Sequence, residues 1–119
     1  MVPDPDDLLT QQLRQLRREY LVDSIKRVEE LRALQAALAG DQQAVLVRLR
    51  QAFHKLAGSG GSYGFPVVSA RSREGEALVQ RLEAVAAPLT AADRASIEAC
   101  ITSIDRAFAD ARSSMESSP

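Results

Sequence analysis

Apolar positions along this chain recur at spacings of three and four, the repeat of one α-helical face, with polar residues filling the gaps. The alternation expected of half-buried β-strands is missing from the pattern. Leu9, Leu13, Leu16 and Tyr20 form a first apolar run, and Leu21, Ile25, Val28, Leu31, Leu34 and Leu38 a second. The two runs predict a short helix over 5–18 leading into a long one, with a break near Arg18. Asp4 and Pro5 suit an N-cap and a first helical residue, and Gly40 suits a C-cap. Asp41 can cap a next helix whose apolar members are Val45, Leu46, Leu49, Ala52, Phe53 and Leu56.

The stretch Gly61-Ser62-Tyr63-Gly64-Phe65-Pro66 reads as a turn, with Pro66 opening a third bundle helix. Its stripe is Val68, Ser72, Gly75, Val79, Leu82 and Ala86, and its small members allow a neighbouring helix to come close. Pro88 stops it. Thr90 with Asp93 resembles a capping box built on the shorter acid. Ile97, Ile101, Ile104, Phe108, Ala111 and Met115 then make the cleanest stripe of all. Short loops between long amphipathic helices predict an all-α, antiparallel four-helix bundle with an additional short N-terminal helix. One domain over 1–119 is expected, with its core at about 19–113 and a frayed tail at 114–119.

Composition narrows this picture. Hydrophobic residues make up 45% of the chain but aromatics only 4%, so aliphatic side chains must fill the core. The net charge is −1 with both signs interspersed, which argues against nucleic acid as a partner. A single cysteine, Cys100, excludes an internal disulfide and a thiolate metal site. It falls beside Ile97 and Ile101 and reads as a small buried hydrophobe. The opening MVPDPDDLL lacks a basic segment followed by an apolar one, and no apolar run reaches the ~20 residues of a membrane span. A cytoplasmic monomer without signal peptide or membrane partner is expected.

His54 is the sole histidine. Helical geometry puts it about 140° from Leu49, off the core stripe, with Gly58 at about 180° beside it and Gly61 returning to that side. Each glycine within a helix costs roughly 1 kcal/mol relative to alanine. Here they leave bare backbone next to an exposed imidazole, flanked by Arg50, Gln51 and Lys55. Such clearance suits a folded macromolecular partner more than a small substrate. A solvated surface histidine is the alternative meaning of the same residue. The glycine run lacks the Gly-Lys-Ser/Thr of a nucleotide loop and follows a helix, so nucleotide binding is disfavoured.

His54, Leu56, Gly58 and Ser59, followed by Gly60-Gly61-Ser62-Tyr63-Gly64-Phe65, resemble the H-x-L-x-G-S motif of histidine-containing phosphotransfer (Hpt) domains. The resemblance implies a four-helix bundle carrying a phosphorylated histidine on its second helix. His54 would be the phosphoacceptor. Family members place a carboxylate or amide 22 residues later, which here is Glu76, to bond and orient the imidazole. By position alone Glu76 serves equally as a plain surface acid. A lysine common three residues after the histidine is replaced by Ala57, so Lys55, Arg50 or Arg73 would stabilise the phosphoryl group. Gln51, Gly58, Ser59 and Gly61 would form the docking surface.

The implied function is phosphoryl relay in two-component signalling. His54 would accept phosphate from a receiver-domain aspartate or a histidine kinase and pass it to a response regulator. No autonomous kinase activity and no cofactor of its own are expected, the Mg²⁺ residing in the receiver partner. The alternative is a helical adaptor or dimerisation module that binds signalling proteins without transfer.

Overall fold

The computed structural model describes residues 4–116. Four helices account for nearly all of them: α1 Pro5–Ala36, α2 Gln42–Ser62, α3 Pro66–Val85 and α4 Ala91–Glu116, with a 3₁₀ turn at Ala37–Ala39. The helix starts are those the capping residues predict. Asp4 accepts from the Asp6 amide at 3.0 Å and Asp41 from the Ala44 amide at 3.3 Å. Thr90 and Asp93 exchange reciprocal 3.0 Å bonds, a capping box in full.

The expected break near Arg18 does not occur, and there is no separate N-terminal helix. α1 is one helix of 32 residues. No glycine or proline interrupts it after Pro5, and Arg17 clasps the α2–α3 turn by donating from Nε to the Tyr63 carbonyl at 2.9 Å. Nor does Ile25 belong to the core stripe: it faces solvent, while Ser24 takes the buried position. α4 extends to Glu116, and Met115 packs against the core. Residues 117–119 of the expected frayed tail lie outside the described residues.

Cross-helix bonds fix the topology. Arg112 donates to Ser24 Oγ at 2.7 Å and Arg32 to Asp105 at 3.3 Å, so α1 and α4 run antiparallel. Arg50–Glu83, His54–Glu76 and Ser69–Ala57 do the same for α2 and α3. Leu31, Leu46, Leu49, Phe53, Val79, Ile97, Ile101, Ile104 and Phe108 fill the centre. Tyr20 joins the ends: its ring stacks on Tyr63 and Phe65 and meets the edge of Phe108.

Residues 63–65 reverse the chain between α2 and α3. Gly64 adopts φ +84°, a left-handed conformation that suits glycine. The Gly64 amide bonds the Gly61 carbonyl and the Phe65 amide bonds the Gly60 carbonyl, the two bonds of a Schellman motif. α2 therefore continues as helix through Gly58, Gly60 and Gly61 and stops only at this turn.

Candidate functional site

The orientation of α2 follows from its buried face. Leu49, Phe53, Leu56, Ala57 and Gly60 point inward. His54, displaced from that face, is turned into solvent with its side chain 75% exposed. α3 buries Ser72, Gly75 and Val79, and this sets Glu76 at the seam with α2. His54 Nδ1 lies 3.0 Å from Glu76 Oε1, and the Glu76 side chain is 20% exposed. A carboxylate accepts hydrogen bonds and does not donate, so this contact calls for a proton on Nδ1. The lone pair is then on Nε2, at the far side of an exposed ring.

Close approach of α2 and α3 makes the contact possible. A β-carbon at Gly75 would stand 2.8 Å from Phe53 Cε1, and one at Gly60 would stand 3.0 Å from Val68 Cγ1 and 3.1 Å from the Ser69 nitrogen. Ser69 Oγ donates to the Ala57 carbonyl at 2.7 Å across the same seam. The glycine run thus divides by direction. Gly60 is a packing residue, while Gly58 faces open space and Gly61 is exposed. The helical wheel that turned His54 outward also puts Gly60 about 20° from Leu49, on the core face. That signal was available in the sequence.

The other expected site residues scatter. Arg50, one turn before His54, donates from Nε to Glu83 Oε2 at 2.7 Å, so its guanidinium is engaged on α3. Glu83, seven residues after Glu76, forms a second rung of the same α2–α3 ladder, which the sequence pattern did not point to. Lys55 and Gln51, about 100° and 60° around α2 from His54, line a groove between α1 and α2 with Arg27, Glu30 and Arg48. Ser59 turns toward α1, its hydroxyl 2.7 Å from that of Tyr20. Arg73 is exposed on α3, three residues before Glu76. Cys100 is half-buried, and burial pushes its thiol pKa up, which disfavours the thiolate.

Among the described residues no three His, Cys, Asp or Glu side chains gather as a metal site. No helix among them is long and apolar enough to cross a membrane. An exposed imidazole held by a carboxylate beside bare helix remains the distinctive chemistry of the molecule. A family model described as the Hpt domain matches residues 9–107. The chain belongs to the Hpt domain family. Comparison with curated proteins found no match, and comparison with solved structures found none either. Hpt domains are phosphocarrier modules of phosphorelays, acting through histidine and interacting with receiver domains and histidine kinases. In this Hpt domain Ala57, which stands in place of the common lysine, is buried against α3.

Proposed function

We propose that this Hpt domain relays phosphoryl groups through His54 between a receiver-domain aspartate and a second signalling partner. The observation that carries the reading is the 3.0 Å contact between His54 Nδ1 and Glu76 Oε1 on a ring that is otherwise open to solvent. With Nδ1 protonated, the Nε2 lone pair attacks the phosphorus of an aspartyl phosphate. The N–P bond forms as the P–O bond to aspartate breaks, and the aspartate leaves as a carboxylate. Positive charge grows on the imidazole, and Glu76 stabilises it through the Nδ1–H bond. The phosphoryl oxygens gain compensation from Lys55 and from Arg73, because Arg50 is already paired with Glu83. Gly58 and Gly61 leave room for the receiver loops that bring the phosphate and its Mg²⁺.

The test is transfer from a phosphorylated receiver domain. Radiolabel should move to this chain, survive alkali and be lost in acid. His54→Gln should accept none, and retention of label by that variant would refute the assignment. Gly58→Glu should slow transfer by obstructing approach. Binding of the receiver without any transfer would assign the chain to the adaptor class instead.

A further inference from the structure

His54 and Glu76 are joined by one bond. Among the described residues neither side chain has a second hydrogen-bond or ion-pair partner. The 3.0 Å contact therefore depends on where α2 and α3 place the two backbones. The other polar links across this seam lie to either side. Arg50 and Glu83 span it through two long side chains, which tolerate a range of helix separations. Ser69 and Ala57 lie toward the turn.

At the height of the imidazole the separation is set by packing. Phe53 precedes His54 and Gly75 precedes Glu76, so two buried neighbours meet directly beneath the functional pair. A β-carbon at Gly75 would stand 2.8 Å from Phe53 Cε1, 2.9 Å from Cδ1 and 3.0 Å from Cζ, along a whole edge of the ring. That ring is fully buried in a close-packed core and has no free space to swing into. Non-bonded carbons rest about 3.5–4.0 Å apart, so a methyl at position 75 would require roughly 0.7–1.2 Å of extra room. Added to the 3.0 Å contact, that opening carries it past the limit of a hydrogen bond, about 3.5 Å.

We propose that Gly75 is a positioning residue for phosphotransfer. By seating the Phe53 ring against bare backbone it holds α3 close enough for Glu76 to keep the proton on His54 Nδ1 and the lone pair on Nε2. The proposal rests on His54 as the phosphoacceptor, but its first test does not. Gly75 is buried and acts only through the spacing of the helices. Its role is thus distinct from that of Gly58, which faces open space.

His54 is the sole histidine, so labelling histidine with heavy nitrogen gives the signals of one imidazole. At mildly alkaline pH their shifts report the tautomer of the neutral ring. The wild type should show Nδ1 protonated. Gly75→Ala should move the tautomer ratio toward Nε2–H by roughly tenfold, the loss expected for a hydrogen bond to a charged acceptor. Gly60→Ala, which crowds Val68 and Ser69 on the same seam nearer the turn, should leave the ratio unchanged. Phe53→Leu combined with Gly75→Ala gives the methyl room and should restore the wild-type ratio, and it serves as the test should Gly75→Ala alone not fold. In transfer from a phosphorylated receiver, Gly75→Ala should be as slow as Glu76→Ala, and the two together no slower than either.

Retention of the Nδ1–H tautomer by folded Gly75→Ala overturns the proposal, as does a mixed tautomer in the wild type. An equal shift in Gly60→Ala also overturns it, because general loosening of the seam would then suffice. Failure of the Phe53→Leu double variant to hold Nδ1–H overturns the fit between ring and glycine. The predicted tautomer changes without transfer from any receiver would uphold the spacing role and remove the phosphoacceptor reading instead.

Discussion

The bond from His54 Nδ1 to Glu76 gives the imidazole two properties that a free surface histidine lacks: a fixed tautomer and a nearby negative charge. The two can be separated by substitution. Glu76→Gln keeps an acceptor at the same place but removes the charge, and Glu76→Ala removes both. Phosphotransfer measured by rapid quench should therefore fall in the order wild type, Gln, Ala, with the alanine variant slower by about 10- to 100-fold. Its melting temperature should stay near that of the wild type, because Glu76 is not a core residue. An alanine variant with unchanged rate and phosphoprotein lifetime would make Glu76 a plain surface acid. The outward direction of His54 was legible from helical angles, whereas Glu76 was singled out by the family resemblance, its position alone fitting a surface acid equally well. The engagement of Arg50 by Glu83 was not. It depends on how far two helices are rotated toward each other, and periodicity leaves that rotation open by a quarter turn.

Between helices α2 and α3 the decisive quantity is the distance of approach, and the glycines measure it. A methyl at Gly58 would have nothing within 4 Å, whereas a methyl at Gly75 would meet the Phe53 ring at 2.8 Å. Gly58→Ala should raise stability by up to about 1 kcal/mol through helix propensity alone. At Gly75 the same gain is opposed by overpacking of a fully buried ring, which costs roughly 1–3 kcal/mol, so Gly75→Ala should be destabilising. Opposite shifts in denaturant midpoint are the expected result, and equal shifts would contradict so close a seam. The sequence marks Gly75 as a small residue on a core stripe, yet it does not say which side chain fills the space. That depends on shape complementarity with Phe53 on another helix. The same limit explains the false break in α1. Two apolar runs offset around a helix look like two helices, yet the helix continues unbroken through the boundary, where Arg17 and Tyr20 meet the α2–α3 turn.

Across the whole molecule, Tyr20 ties together parts that lie far apart in the chain. Its hydroxyl is 2.7 Å from Ser59 Oγ on α2, its ring stacks on Tyr63 and Phe65 of the turn, and its edge contact reaches Phe108 on α4. Burial is the main reason its phenol pKa is raised above the ordinary value of 10.0, outweighing the bond to Ser59 and the nearby Arg27 charge, which act the other way. The fold therefore favours the protonated, neutral phenol. Its contribution is complete below the unfolded-state pKa near 10 and is lost as pH rises from there through the higher folded value. Stability from denaturant titrations should consequently decline above about pH 10 more steeply in the wild type than in Tyr20→Phe. At neutral pH the phenylalanine variant should be less stable by about 1 kcal/mol, the usual net worth of one hydrogen bond, because the ring contacts persist while the hydroxyl bond does not. The two stability curves should then converge in alkali, as the wild type loses the advantage its hydroxyl supplied. Parallel curves over that range would mean that Tyr20 ionises as freely in the folded chain as in the unfolded one, and that the junction of α1, the turn and α4 is looser than its stacked rings imply.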